Sequence, residues 1–299
     1  MKVANIFIVY KDPEQVERVV KTMSSHPDFD CWIHLDKKVN LADYAGLLDI
    51  PRVRFVKNRV SVKWAGFSFV QSMLVSLEEI FESGIKYDFV NLMSGQDFPI
   101  KPIDYIHDYL SQHKGSSFIE SEPEPSEWWS HALQRLTRYH MTDYRFKGKT
   151  RLEGFLNKAL PSRKSLLSSQ LHGGPNSTYW TLSLEAAKYV CEFLKANRRK
   201  QWLYKHTWAP DEFLFSTILM NSHLRSSIIN KSLKYVDWSN GGARPGTMGV
   251  KDYYALKESS KLFARKFDIR EDAAILDLVE AELLDSSKLI VPKVKYLPT

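Results

Sequence analysis

The sequence predicts an α/β fold with a mostly parallel central sheet and helices on both faces, a single domain over 1–299. Three observations carry this: apolar, β-branched runs recur, each is followed by a stretch of helical periodicity, and the two kinds alternate through the first third of the chain. Residues 3 to 10 read as a strand, and PEQVERVVKTM follows with Val16, Val19, Val20 and Met23 at helical spacing. FDCWIHLDKK reads as a second strand ending in charge at Asp36, and VRFVKN as a short third. WAGFSFVQSMLVSLEEIFESG is a long helix closed by glycine, and YDFVNLMSG a buried strand running into a loop. The one literal Asp-x-Asp, Asp28-Phe29-Asp30, reads as a solvated turn before the second strand.

Between about 114 and 172 the composition shifts to acids, prolines, paired tryptophans and then basic residues, which reads as an inserted, loop-rich, lid-like region. STYWTLSLEAAKYVCEFLKAN resumes strand then helix, and HTWAPDEFLFSTILMNS opens another helix at Pro210. LKYVDW is a further strand, and LFARKFDIREDAAILDLVEAELL a basic strand or turn followed by an amphipathic helix, leaving 286–299 as a tail.

The composition excludes several classes. With 43% hydrophobic residues, no low-complexity tract and no repeat, the chain is neither disordered nor a solenoid. A net charge of +7 favours nucleic acid, an anionic membrane face or a phosphorylated small molecule without choosing among them. MKVANIFIVYKDP is too short in apolar residues for a signal segment, and no window reaches the length of a membrane span. The chain therefore reads as cytoplasmic, with room for peripheral contact at an anionic inner membrane face. Cys31 and Cys191 lie in apolar settings without CxxC spacing and read as buried thiols. The nine histidines form no HxxxH or Cys/His cluster, and GxGxxG, P-loop and GxSxG patterns are absent.

Among the polar residues, Asp211 and Glu212 follow Pro210 at the head of an apolar run. Acids there complement a helix dipole by about 0.3–1 kcal/mol each whatever the protein does, so punctuation and chemistry both remain open. The loop LMSGQDFPIKP offers one acid, Asp97, where a metal-dependent nucleotide-sugar enzyme carries a pair, so a divalent cation is poorly provided for. Fixed cations would then have to hold a diphosphate. Arg265 and Lys266 in FARKFD, with Arg244 in GGARPGTMG, are candidates, and a basic edge that discourages strand pairing is the equal alternative. Asp36 either takes a ribose or base or ends its strand. Trp64 and Trp238 either stack on a base or sugar or belong to the core.

Taken in order, HLDKK (34–38), VKWAGFSFVQ (62–71), NLMSGQDFPIK (91–101), GGPNSTYWTLS (173–183), APDEFLFST (209–217), LKYVDW (233–238) and LFARKFD (262–268) resemble the core-2/I-branching glycosyltransferases. That family includes β-1,6-N-acetylglucosaminyltransferases and peptide O-xylosyltransferases. The resemblance implies a GT-A type fold, a UDP-sugar donor, inversion at the anomeric carbon and no metal or other cofactor. It implies Glu212 as general base, Arg265 and Lys266 on the diphosphate, Asp36 and Lys38 on the uridine, and Glu120 and Arg135 on the acceptor sugar. Trp64, Asp97 and Arg244 join the donor side, and Asp211 and Trp238 the acceptor side. The chain departs from the xylosyltransferase-like members at Thr178, where they carry an acid, and lacks a secretory anchor, which points to a bacterial-type soluble member. The acceptor implied is a glycan, a polysaccharide or a lipid-linked saccharide, with GlcNAc or xylose as the sugar moved.

A basic nucleic-acid or anionic-polymer binding module without activity is the competing expectation, motivated by the charge and the aromatic, basic stretch from Trp128 to Arg151. A glycoside hydrolase would explain the paired acids but not the phosphate-binding cations.

Overall fold

The computed structural model describes residues 1–163, 170–239, 241 and 244–288. Parts of the PSRKSLLSSQ and GGARPGTMG stretches and most of the tail lie outside the described residues. In chain order the elements are β1 (Val3–Val9), α1 (Pro13–Met23), β2 (Phe29–Leu35), β3 (Val53–Phe55), α2 (Phe67–Glu82) and β4 (Phe89–Ser94). Then come β5 (Asp97–Pro99), α3 (Ile103–Gln112), β6 (Ser117–Phe118), β7 (Glu122–Pro123), α4 (Glu127–Thr137) and α5 (Lys149–Ala159). The chain continues through β8 (His172–Gly173), β9 (Thr181–Ser183), α6 (Leu184–Ala196), α7 (Arg198–Lys205), α8 (Leu214–Met220) and β10 (Ile228–Ile229). It closes with β11 (Lys234–Val236), α9 (Tyr253–Glu258), β12 (Phe263–Arg265) and α10 (Ala274–Glu282).

These elements gather into two compact units, Met1–Gly95 with His113–Leu233, and Gln96–Gln112 with Lys234–Thr299. The first is built on a seven-stranded sheet in the order β10-β6-β9-β4-β1-β2-β3, in which β9 alone runs antiparallel to its neighbours. This is the expected mostly parallel sheet. β1 is central and all seven of its residues are buried. Ala4, Ile6 and Ile8 on one of its faces pack with Val70, Met73, Leu77, Val190 and Leu194 of α2 and α6, so the strand reads as an unbroken apolar run. The second unit carries a three-stranded sheet, β11-β12-β5, with β12 parallel to β11 and antiparallel to β5.

Cys31 and Cys191 are free and buried, as expected. Three local expectations are corrected. Asp30 is not in a solvated turn: it is the second residue of β2, is buried, accepts the Tyr87 hydroxyl at 2.5 Å and pairs with Arg54 at 3.4 Å. The 114–172 stretch is less loop-rich than predicted, since α4 and α5 are each 11 residues long. Pro210–Glu212 forms a single 3-10 turn, and Phe213, with φ −127°, separates it from the seven-residue α8, so the acids do not open the helix directly.

Candidate active site

In the first unit the Pro210–Glu212 turn is fixed from two sides. Ala209 precedes it in the left-handed region, φ 50°, and its N–H donates at 2.8 Å to the carbonyl of Ala65, itself at φ 58°. Such a conformation costs an L-residue roughly 1–2 kcal/mol, and it is held here by joining the turn to the start of α2. On the other side the Glu212 carbonyl accepts the Gly174 N–H at 3.1 Å. A Cβ on Gly173 would sit 2.7 Å from that carbonyl oxygen, so only glycine allows the strand to approach so closely.

The side chain of Glu212 meets a partner that local sequence does not reveal. Arg135, in the last turn of α4, places Nη1 2.6 Å from Oε2. Its guanidinium also lies 4.6 Å from the Trp208 ring and 5.8 Å from Trp128, so flat apolar faces hold the cation in place. Among the described residues Oε1 has no hydrogen-bond partner. Burial, reinforced by the neighbouring Asp211 charge, raises the Glu212 carboxyl to about 7, against the opposing pull of Arg135. Desolvation outweighs any help from a helix dipole, since no full helix starts at the residue. Asp211 is buried and accepts the Thr178 hydroxyl at 2.8 Å. Trp64 is 60% exposed and meets Trp208 edge-on at 5.3 Å.

Glu120 lies just past β6, where its carboxylate accepts from Asn176 Nδ2 at 2.7 Å and from the Ser232 N–H at 3.3 Å. Asp36, at the carboxyl end of β2, is buried and organises the next loop: it accepts from the Lys38 N–H at 2.9 Å and the Val62 N–H at 3.3 Å. Lys38 Nζ adds an ion pair to Asp36 at 3.2 Å and donates to the Val62 carbonyl at 2.7 Å. The carboxyl ends of parallel strands are where open α/β sheets bind ligands. Trp64 follows on the loop that Asp36 and Lys38 hold.

In the second unit Asp97 opens β5 with a fully buried side chain, 2.8 Å from Lys234 Nζ and 3.1 Å from Arg265 Nε. Both of these cations belong to strands of its own sheet. Lys266 follows at the end of β12, its carbonyl accepting the Met248 N–H at 2.7 Å, which ties the loop after Arg244 to this strand end. Arg244 is exposed, and Trp238, half-buried beyond β11, accepts the Gly241 N–H at 3.0 Å through its carbonyl.

A family model described as Core-2/I-Branching enzyme matches residues 3–258. The chain belongs to this family. Xylosyltransferase oxt of Drosophila pseudoobscura pseudoobscura is 27% identical over 292 residues, covering 89% of this chain and 31% of that protein. The human Beta-1,3-galactosyl-O-glycosyl-glycoprotein beta-1,6-N-acetylglucosaminyltransferase is 25% identical over 313 residues, covering 94% of this chain and 69% of that protein. The chain thus spans about a third of the length of the xylosyltransferases it matches, which include Xylosyltransferase 2 of Rattus norvegicus at 23% identity and 35% coverage of that protein. The apo crystal structure of mouse Xyloside xylosyltransferase 1 aligns with a TM-score of 0.40 and 12% identity over 88% of this chain and 96% of that one, too distant a likeness to argue from.

Within the matched span, the Pro210-Asp211-Glu212 stretch is the one whose glutamate meets Arg135. Sequence reasoning paired Arg135 with the acceptor and missed its contact with Glu212, along with Trp208, Gly173 and the Thr178 hydroxyl. Trp208 stands two residues before Pro210 and Gly173 begins a Gly-Gly pair, so weak local signals existed.

Proposed function

We propose that the chain transfers a sugar, GlcNAc or xylose, from a UDP-sugar to a hydroxyl of a saccharide acceptor, with inversion and without a metal. The observation that carries this reading is a glutamate of the family's PDE stretch, gripped at Oε2 by Arg135 and raised to about 7, with Oε1 open to accept a proton. A general base is most effective with a pKa near the working pH. In the step proposed, Glu212 takes the proton of the acceptor hydroxyl as its oxygen bonds to the anomeric carbon. The bond from that carbon to the phosphate oxygen breaks, and its electron pair leaves with UDP. Arg265 and Lys266, with Arg244, offset the charge that grows on the β-phosphate. Arg265 and Lys266 lie beyond residue 258, where the family match ends, so their assignment stands on their chemistry and on the LFARKFD resemblance.

Asp36 and Lys38 are proposed for the uridine, Trp64 for stacking on the donor, and Asp97 for holding Arg265 in position. Glu120, Trp238 and Asp211 are assigned to the acceptor side. Arg135 is assigned to Glu212 first, and to acceptor hydroxyls through the same guanidinium. The test is transfer and donor hydrolysis measured in EDTA across UDP-GlcNAc, UDP-xylose, UDP-galactose and UDP-glucose. Turnover of one donor in EDTA is expected. Loss in EDTA restored by manganese would overturn the metal-free step, and steep salt-dependent polymer binding without turnover would favour the binding module.

A further inference from the structure

α5 is attached to the first unit the wrong way round for a surface helix, and none of its residues is buried. On a wheel of about 100° per residue, Leu152, Phe155, Leu156 and Ala159 fall on one stripe, with Leu156 half-buried at its inner margin, while Glu153 and Asn157 lie beyond that margin. A stripe of this kind ordinarily faces the core. Here the polar side faces the protein: Glu153 accepts the Met141 N–H at 2.9 Å, and Asn157 exchanges two 2.8 Å hydrogen bonds with the backbone of Tyr139. The apolar side is left outward, with Phe155 63% and Leu152 40% exposed.

The charges follow the same geometry. Arg151 and Lys158 border the stripe on one margin and Lys149 on the other, and residues 144–160 hold five Lys or Arg against one acid, Glu153, whose carboxylate is turned inward. Trp202 of α7 stands beside this region, its ring 6.1 Å from Tyr139, and is 44% exposed in a helix with four basic residues and no acid. Apolar side chains rimmed by cations match an anionic lipid interface, where rings enter the acyl boundary and Lys/Arg heads meet phosphate. Two copies of this chain paired face to face would oppose like charges. A nucleic acid would use the cations and leave the stripe uncovered. Among the described residues no helix is long and apolar enough to cross a membrane, so the contact is interfacial.

We propose that the outward face of α5, with Trp202, docks on an anionic lipid bilayer. This surface is independent of the glycosyl-transfer reading. The test is co-sedimentation of the full chain with phosphatidylcholine vesicles, with and without phosphatidylglycerol. Binding is expected only with the anionic lipid and is weakened by salt. The F155S/W202S pair lowers partitioning at least about tenfold, and R151E/K158E does the same, with unchanged circular dichroism and melting temperature for both. Equal partitioning of the F155S/W202S variant and the wild type overturns the proposal. So does an absence of vesicle binding, or a preference for heparin or poly-uridine that survives F155S/W202S.

Discussion

Arg135 Nη1 lies 2.6 Å from Glu212 Oε2, yet the carboxyl is raised to about 7. An ion pair this short would by itself lower a carboxylate's pKa. Burial and the adjacent Asp211 outweigh it, leaving a group that is half-ionised near neutral pH and positioned by its partner.

Activity should therefore fall on the acid side of about pH 7, because the base must be unprotonated. Arg135→Met removes the opposing cation and should move this limb to higher pH, whereas Asp211→Asn removes a like charge and should move it lower. A kcat/KM profile against pH for the three proteins checks the signs. A limb that stays put in both variants would detach it from Glu212.

Glu212→Gln should cut transfer by about 10²–10⁴-fold with UDP binding nearly unchanged, and it should not cost stability at pH 8. A carboxyl raised from 4.5 to about 7 on folding contributes stability present below pH 4.5 and lost as pH rises through 7. At pH 8 the ionised side chain is thus a burden that glutamine removes, by up to about 2 kcal/mol after discounting its partial exposure. Urea unfolding at pH 8 alongside the transfer assay separates a catalytic loss from misfolding.

Much of the first unit was legible because β1, β2 and β4 are buried on both faces and α1 on one, and burial writes its period into the sequence. Asp30 was misread because a buried acid looks like a turn until Tyr87 and Arg54, distant in sequence, are brought to it. The state of Glu212 was illegible for the same reason: Arg135 is 77 residues away, and desolvation belongs to the assembled site. α5 is the reverse case, since its clear apolar stripe would be assigned to a core, while Glu153 and Asn157 anchor the opposite side.

Lys266 and Asp97, the acid that pairs with its neighbour Arg265, should separate on mutation. Lys266→Ala should weaken UDP by about tenfold or more, the loss of a charge-assisted contact, with little change in folding. Asp97→Ala should instead destabilise the protein by about 3–5 kcal/mol, since it strands the buried Lys234 ammonium. Calorimetric UDP titration and denaturant unfolding of both variants provide the check. Unchanged UDP affinity in Lys266→Ala would remove the diphosphate role.

His34 predicts the response to acid. It is buried at the end of β2, its Nε2 accepts the Val60 N–H at 2.9 Å, and burial pushes its pKa from 6.5 down to about 4. An imidazole held neutral in the fold but protonated on unfolding stabilises the native state above pH 6.5, and that stability drains away as pH falls towards 4. His140 and His172 are lowered in the same direction by burial and add to the slope. Between these limits His34 contributes up to about 1.4 kcal/mol per pH unit. His34→Asn keeps an acceptor for Val60 without a titrating group, so its unfolding free energy should be flatter from pH 6.5 to 4.5. If urea titrations give the same pH slope with and without His34, burial of this imidazole is not what drains the fold's stability in acid.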